Sequence, residues 1–237
     1  MATALRRADL VVDGPLDHAA VDALLGPATA RDAGPVDVVV LAVPDRAIAE
    51  LARALVPTPA TVVVHLAGSL GLDVLAPHPR VGALHPLVAL AGGDRGADAL
   101  AGAWCAVAGD PVVHDLVTAL GGRAFTVADA DRATYHAAAC VAANHVVATL
   151  GQAARLAERA GVPSEALWAL AAGAVADVAA LGPAAALTGP VARADWPTVA
   201  RHLAALPAEE RDGYLAAARL ADRLARPDGP PAPEVAS

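Results

Sequence analysis

Residues 37–45 of this 237-residue chain read DVVVLAVPD and predict a buried strand that runs directly into a helix. The apolar run is continuous and mostly β-branched, which is typical of a strand covered on both faces. Pro44 ends the run, and Asp45 is predicted to cap the helix that follows. The apolar positions of that helix recur at helical spacing, at Ile48, Leu51 and Leu55. A strand that leads straight into a helix is the basic unit of α/β proteins.

The same alternation of strand and helix patterns continues on both sides of this unit. Gly68-Ser69 is predicted to open a short helix, and a helical pattern covers 115–120. Alternating strands and helices imply βαβ units and a mostly parallel sheet, so residues 1–128 are interpreted as a Rossmann-like α/β domain. The further predicted strands are 10–12, 61–66, 81–84, 104–108 and 124–127.

From Asp129 onward the chain carries no strand pattern, and we expect an all-helical domain over residues 129–226. Asp195 is a good helix N-cap, because Pro197 follows within the first turn. Residues 227–237 are Pro-rich and predict a disordered tail. The predicted helices of this half are 130–160, 164–180, 195–206 and 208–225.

The charge of the chain excludes several classes of function. It has 17 basic and 25 acidic side chains, and its formal net charge is −8. This balance argues against nucleic acid or an anionic membrane as the main partner. All 17 basic residues are arginine, which excludes chemistry that needs a lysine amine, such as Schiff bases and pyridoxal phosphate anchoring.

Cysteine usage and the N-terminal residues indicate the compartment. Cys105 and Cys140 form no disulfide framework, and Arg6 and Arg7 come too early for a signal peptide. The membrane-length uncharged stretch 133–154 contains polar side chains and is interpreted as a buried helix. We therefore expect a cytoplasmic protein without a membrane span.

The glycine-rich turn that dinucleotide-binding domains carry after their first strand is missing. No GxGxxG occurs in the chain, and residues 1–8 read as the end of a first helix. Two explanations compete: the start has been placed at an internal Met, which we favour, or the domain is a shortened variant. Both put the binding of a pyrophosphate in doubt. In-frame DNA upstream of the Met1 codon that encodes a strand and GxGxxG would support the first.

Five segments occur together in an order and at distances that are specific. They are DVVVLAVPD (37–45), VVVHLAGSLGLDVL (62–75), GALHPL (82–87), YHAAACVAANHVVATL (135–150) and ALTGPVARADWPTVARHL (186–203). They resemble an uncharacterised family of predicted oxidoreductases within the 6-phosphogluconate-dehydrogenase-like group. Its members pair a Rossmann-like domain with a helical C-terminal domain of unknown function. The resemblance spans residues 1–225 and departs from the family at Ala194, where Gly is usual, and at the missing glycine-rich turn.

The resemblance implies NADP or NAD as the cofactor, with Val43, Pro44 and Asp45 as contacts, and a small substrate between the domains. A weaker, local similarity to prephenate dehydrogenases covers Ser69 and the His85-Pro86 pair. In that family the histidine accepts a hydrogen bond from a substrate hydroxyl or orients it during hydride transfer to a nicotinamide. Leu70 stands where those enzymes have Lys, which argues against an identical substrate.

His85 is the leading catalytic candidate. It is expected just past a strand, at the carboxyl edge where open α/β sheets hold ligands. An imidazole there can take a proton from an alcohol because its pKa is expected near working pH. The alternative is a loop histidine that only braces Pro86. For His65, within an apolar run, a buried structural role is favoured.

The helical half offers a second group of candidates. His136 and Asn144 fall on one predicted helix stripe, with Cys140 and Val147, and could orient a substrate or form a structural polar pair. In the last motif Arg193 could clamp a carboxylate, because no lysine is available. Thr188 and Thr198 are further candidate substrate contacts, although a turn and a helix start explain both. Ser69 and Asp45 also have plain interpretations as helix caps.

Two functions remain open on the sequence alone. The first is an NAD(P)-dependent oxidoreductase for a small, anionic substrate, with His85 as acid/base, His136 and Asn144 orienting the substrate and Arg193 binding its charge. The second is a non-catalytic dimeric scaffold or ligand sensor with a degenerate Rossmann domain. A homodimer through the helical half is expected in either case, because its alanine-rich helix faces would otherwise stay uncovered.

Overall fold

The computed structural model describes residues 1–7, 37–89 and 98–229. The chain divides into two compact units, residues 1–143 and residues 144–237. The predicted domain boundary near residue 128 falls just after the last strand of the first unit. This unit continues beyond it because the first turns of the next helix contact the sheet and its loops.

The first unit is an α/β sheet structure. Its described strands form one sheet in the order β1-β2-β3-β4-β5. β1, β2 and β3 are parallel, β4 is antiparallel to β3, and β5 is parallel to β4, so the predicted mostly parallel sheet is confirmed. The elements are α1 (Ala2–Arg7), β1 (Val38–Leu41), α2 (Asp45–Ala54), β2 (Val62–His65), a 3₁₀ turn (Leu72–Leu75), β3 (Val81–Pro86), β4 (Trp104–Gly109), α3 (Val112–Ala119), β5 (Arg123–Thr126), a second 3₁₀ turn (Asp129–Asp131) and α4 (Arg132–Cys140).

Buried side chains fill both faces of this sheet. Val62 and Val64 of β2 join a buried cluster with α3, whereas Val63, between them, joins a cluster with α2. Successive residues of a strand point to opposite faces, so a strand covered on both sides needs an unbroken apolar run. The Val-rich runs of the sequence are strands for this reason.

The second unit is helical. Its described residues contain no strand, as predicted. Asp195 caps α9 by accepting a hydrogen bond from the Thr198 backbone N–H, and Pro197 lies in the first turn, also as predicted. Its helices are α5 (Val146–Ala160), α6 (Ser164–Leu181), α7 (Pro183–Ala186), α8 (Gly189–Ala192), α9 (Trp196–Ala205) and α10 (Ala208–Ala225).

The prediction that 133–154 forms a buried helix is wrong. None of these residues is buried, because α5 packs against α6 and pairs with α10 through polar side chains, which leaves its alanine-rich side uncovered. Two helical stretches, Asp129–Ala160 and Ser164–Leu181, are long and apolar enough to cross a membrane by length and composition alone. Core helices of soluble proteins can pass the same test, so it indicates a membrane span only weakly.

Two predicted helix caps are also wrong. Pro44 occupies the N-cap position of α2, and Asp45 is its first residue, with no side-chain cap. Gly71 precedes the first 3₁₀ turn, so Ser69 caps nothing. Instead, the Ser69 hydroxyl, in the segment after β2, donates to Oδ2 of Asp45, at the start of α2, across 3.5 Å.

Two elements differ in extent from the prediction. β3 reaches Pro86 because its antiparallel pairing with β4 continues to the end of the strand, so His85 lies within the strand and not past it. A π-helical segment, Val141–His145, separates α4 from α5. The wider turns of a π segment break the regular α-helical spacing on which the predicted stripe from His136 depended. The predicted strand 10–12 and the tail from 230 onward lie outside the described residues.

Candidate active site

The candidate site lies at one edge of the sheet in the first unit. β1, β2 and β3 are parallel, so their carboxyl ends meet at the same edge. The chain segments at this edge are 42–45 after β1, 66–71 after β2, and the end of β3, which contains His85. Open α/β sheets bind their ligands at this edge. The predicted position of His85 at the ligand edge therefore agrees with the topology.

Strand register places His85 in a row of side chains on one sheet face. His85 pairs with Ala106 of β4, and Ala106 pairs with Phe125 of β5. Tyr135 of α4 contacts both outer rings edge-on, with its centroid 5.6 Å from that of His85 and 5.7 Å from that of Phe125. The methyl of Ala106 leaves room for the tyrosine between them. The Tyr135 hydroxyl oxygen lies 2.7 Å from Nδ1 of His85, so the two groups share a hydrogen bond.

Gly68 forms the opposite wall of the site. The rings of His85 and His136 meet edge-on, with centroids 5.6 Å apart. A Cβ added to Gly68 would lie 3.0 Å from both Cε1 and Nε2 of His85, and it would overlap Cδ2 of His136. Both imidazoles thus approach the bare backbone of Gly68, a position that no other residue fits without displacing a ring.

His65, at the end of β2, has a structural role, as the sequence favoured. The side chain is fully buried. Its Nδ1 accepts from the Ala67 backbone N–H at 3.2 Å, and its Nε2 lies 3.2 Å from the Gly71 carbonyl oxygen. Because a carbonyl only accepts and an amide N–H only donates, the ring is neutral with its proton on Nε2. Protonation of Nδ1 would break the bond to Ala67.

The expectation that the His85 pKa lies near working pH is wrong. Burial, then the charges of His136 and Arg132, lower the pKa of His85 from 6.5 to about 4. The imidazole is therefore neutral at neutral pH, so a nitrogen lone pair is available to accept a proton, but the same low pKa makes it a weaker base than an ordinary histidine. Burial raises the pKa of Tyr135, which keeps its hydroxyl protonated. In the tautomer where Nδ1–H donates to the Tyr135 oxygen, the lone pair of Nε2 is left to act as a base.

We expect the two buried histidines to make folding stability fall in mild acid. The pKa of His65 is lowered by burial and by Arg132, and that of His85 is lowered to about 4, whereas both titrate near 6.5 when unfolded. The unfolded chain thus binds more protons, so stability is complete above pH 6.5 and declines toward pH 4. After a discount for the partial exposure of its side chain, His85 alone accounts for a loss on the order of 2 kcal/mol in the free energy of unfolding.

Urea unfolding at stepped pH values measures this loss. The carboxylates whose pKa values are lowered, Asp110, Asp195 and Glu210, start from unfolded values of 3.8 to 4.5. They lose their contribution only below those values, so the window from pH 6.5 to 4.5 isolates the histidines. His85→Asn should flatten the pH dependence in that window. A wild-type unfolding free energy that stays constant across it would contradict the prediction.

The predicted cofactor contacts lie at the same edge of the sheet. Val43 is half-buried among apolar side chains around α2, and Pro44 and Asp45 are exposed at the start of that helix. Ser69 is half-buried and reaches Asp45. Among the described residues no group of three His, Cys, Asp or Glu side chains could hold a metal ion.

The remaining predicted site residues belong to the second unit. Asn144 is exposed in the π segment, and Thr188 and Arg193 are exposed at the two ends of α8. The Thr198 hydroxyl lies 2.7 Å from Asp195 Oδ2 and accepts from Arg201, so it completes the start of α9. A substrate-binding role for these four residues stays a prediction.

Sequence reasoning missed Tyr135, Gly68 and Arg132. Tyr135 and Arg132 stand in the segment DRATYHAAAC, beside the histidine that was selected. Gly68 directly precedes the selected Ser69. The available signal was a polar residue at the start of a long alanine-rich helix, and a glycine at a strand end where backbone approaches closely. Neither signal identifies the residues that these side chains contact in the folded protein.

Comparison with known families places both halves of the chain. Residues 1–90 match a Rossmann-like domain, and residues 105–221 match the domain of unknown function DUF2520. A search of curated proteins finds no match. The local similarity to prephenate dehydrogenases stays a prediction.

Solved structures share the fold. A Thermotoga maritima protein has 24% identity and a TM-score of 0.66, covering 81% of this chain and 78% of that one. A Bacteroides fragilis protein, described as a candidate NADP oxidoreductase, has 22% identity and a TM-score of 0.66 over the same shares. Plasmodium falciparum pyrroline carboxylate reductase with NADP bound has 10% identity and a TM-score of 0.53, covering 94% of this chain and 92% of that one.

At these identities the structural likeness shows the fold alone. The family matches go further, because a Rossmann-like match is followed by a DUF2520 match that begins within the first unit and extends through most of the second. The chain therefore joins a Rossmann-like domain to a DUF2520 domain.

Proposed function

We propose that this protein is an NAD(P)-dependent oxidoreductase that acts on a small, anionic alcohol or its carbonyl counterpart, with His85 as the proton acceptor. The observation that carries the proposal is the neutral His85 imidazole at the ligand edge of the sheet, bonded through Nδ1 to Tyr135. In alcohol oxidation Nε2 takes the hydroxyl proton, and Nδ1–H of the resulting imidazolium is held by the Tyr135 oxygen. The fold shared with NADP-dependent oxidoreductases supports the same conclusion.

The other polar candidates have supporting roles in this proposal. His136 packs edge-on against His85, where its ring can orient a bound hydroxyl. Asn144 and Arg193 are proposed as substrate contacts, Arg193 because a guanidinium binds a carboxylate through paired hydrogen bonds. The absence of lysine leaves arginine as the cationic side chain for such an anion. We also propose a cytoplasmic location, consistent with the acidic charge balance and free cysteines.

The residues present do not fit the pyrophosphate of the cofactor in the usual way. The described residues contain no glycine-rich strand–helix turn, and GxGxxG occurs nowhere in the sequence. In NAD(P)-binding folds the backbone amides of that turn hold the pyrophosphate. Bound NAD(P) would supply the hydride acceptor or donor.

We therefore expect this 237-residue chain to bind NADP and NAD weakly. Isothermal titration calorimetry with both cofactors and their reduced forms measures the affinity. Submicromolar binding would contradict the prediction. A form extended upstream of Met1 with a strand and GxGxxG should bind much more tightly, if such coding sequence precedes the Met1 codon.

Nicotinamide absorbance tests the proposed activity itself. Small 2-hydroxy and 3-hydroxy acids are supplied with NADP or NAD, and the matching keto acids with the reduced cofactors. Turnover that is present in the parent and absent in His85→Asn supports the proposal. If no substrate turns over at cofactor concentrations that saturate the protein, the alternative of a non-catalytic ligand-binding scaffold is favoured.

We propose a homodimer formed through the helical unit for either function. A groove of about 460 Å³ between α5 and α6 is lined by Val146, Leu150, Trp168, Ala171, Ala172 and Val175. Val147, Leu170 and Val175 are exposed by 71%, 71% and 61%. An exposed apolar patch of this kind is typical of a subunit interface.

Val175→Asp is expected to shift this dimer toward monomer, because a buried carboxylate without a partner opposes association. Light scattering coupled to size-exclusion chromatography measures the mass of both forms. Val56→Asp is the matched control, since Val56 is 80% exposed in the first unit. A parent chain that is already monomeric at tens of micromolar would overturn the proposal.

A further inference from the structure

Arg132, the first residue of α4, is a fully buried cation whose hydrogen bonds are incomplete. Its Nη2 donates to the Ala67 carbonyl at 3.0 Å. Its Nε and Nη1 are buried without a partner, and no carboxylate among the described residues forms a salt bridge with it. A buried charge with so few partners is costly, and an apolar side chain of similar size would often be at least as stable. Stability alone therefore gives no reason for an arginine here.

Arg132 binds the loop that follows β2, residues 66–71, and this loop makes several other hydrogen bonds. Leu72, at the far end of this loop, donates its backbone N–H to Asp129 Oδ2 at 2.9 Å, from the turn that precedes α4. His65 bridges the loop from within, through the Ala67 N–H and the Gly71 carbonyl. The first residue of α4 and the turn before it thus form hydrogen bonds with Ala67 and Leu72, at the two ends of the loop. Gly68, which contacts the imidazoles of the site, lies directly after the residue that Arg132 holds.

We propose that Arg132 is a positioning residue for His85: from the start of α4 it fixes the Ala67 carbonyl, and with it the Gly68 wall against which the His85 ring is held. This extends the proposed function, since it concerns the residue assigned as the base. The guanidinium also adds a positive charge that opposes protonation of His85. The other charged or titratable groups that act on His85 are His136 and Tyr135 from α4, Asp45 from α2 and His65 from β2.

Two variants test the geometric and electrostatic contributions together. Arg132→Gln removes the charge and also the bond to the Ala67 carbonyl, because that bond is made by Nη2 and the glutamine amide ends where Nε of the arginine lies, whereas Arg132→Lys keeps the charge and an N–H donor but lacks the planar guanidinium. Histidine side-chain NMR with nitrogen labelling gives the titration midpoint of each ring. We expect Arg132→Gln to raise the His85 midpoint by roughly 0.5 to 1 pH unit toward its ordinary value, and Arg132→Lys to leave it near the parental one. His202, in the second unit, is the internal control and should not move.

A folded Arg132→Gln variant whose His85 midpoint equals the parental one would overturn the electrostatic part. The positioning role can also be tested by NMR on the parent chain, without any variant. The guanidinium protons of Arg132 should exchange slowly with solvent and show a nuclear Overhauser effect to the Hα protons of Gly68. Absence of that contact in the folded parent would overturn the positioning role, even if neither variant folds.

The same variants can be followed kinetically once a substrate is known. A positioning role predicts that kcat falls in Arg132→Gln while KM changes little, and that Arg132→Lys recovers part of the rate. A shifted His85 midpoint together with full activity in His85→Asn would keep the positioning role and reject His85 as the base. An unchanged His85 midpoint together with an inactive His85→Asn variant would reject the role of Arg132 and keep His85 as the base.

Discussion

His85→Asn is expected to slow the chemical step by roughly 100- to 10,000-fold, the usual contribution of a positioned acid or base. Asparagine keeps a polar side chain of similar reach but has no titratable nitrogen. Cofactor affinity should stay nearly unchanged, because His85 has no role in holding phosphate groups. Single-turnover kinetics with a substrate that the parent oxidises measures the step directly, since it separates chemistry from product release.

The pH dependence of the rate of alcohol oxidation provides a second test of this variant. In the parent the low-pH limb of alcohol oxidation should lie near pH 4, where His85 becomes protonated. The limb should be absent in His85→Asn. A variant that melts at a lower temperature yet keeps the parental limb would remove His85 from the mechanism and leave it as a brace for Pro86.

The chain offers a matched control for the loss of a histidine–tyrosine pair. His202 and Tyr214 repeat the geometry in the second unit: Nδ1 lies 2.6 Å from the hydroxyl oxygen, and the rings meet at 86° with centroids 5.8 Å apart. His202→Asn should cost stability of a similar kind without removing the base. If His202→Asn lowers the chemical step as much as His85→Asn does, the assignment of the base to His85 is wrong.

Gly68→Ala is expected to lower activity by about 100-fold, because a displacement of about 1 Å in a catalytic group has effects of that size. The new methyl would overlap the His136 ring and press on the His85 ring, so at least one imidazole must move. Overpacking of this kind costs about 1–3 kcal/mol of stability. Turnover and urea unfolding, measured on the same preparation, separate the two effects.

Gly173→Ala is the matched control for this substitution. Gly173 lies inside α6, and a Cβ added there meets nothing within 4 Å. Alanine is the better helix former, so this variant should be more stable by about 0.4–1 kcal/mol and keep full activity. Parental activity in Gly68→Ala would show that the close approach of the two rings to Gly68 is not needed for function.

The sequence predicted the secondary structure of the described residues well, because local patterns decide it. Unbroken β-branched runs such as 62–65 became strands covered on both faces, and Asp195 with Pro197 marked the start of α9. The caps at Asp45 and Ser69 failed for a reason that no local pattern contains. The two side chains contact each other although they are 24 residues apart in sequence.

The candidate site shows the same division. The sequence by itself determined that His85 stands at a strand end in an α/β domain and that no lysine takes part in the chemistry. Only the tertiary structure decided its partners and its charge. Tyr135 is 50 residues away in sequence and meets His85 because strand register puts the small Ala106 between His85 and Phe125. The pKa of His85, expected near neutral, falls to about 4 because burial and the neighbouring His136 and Arg132 act through space, and the order of residues in the chain does not record such distances.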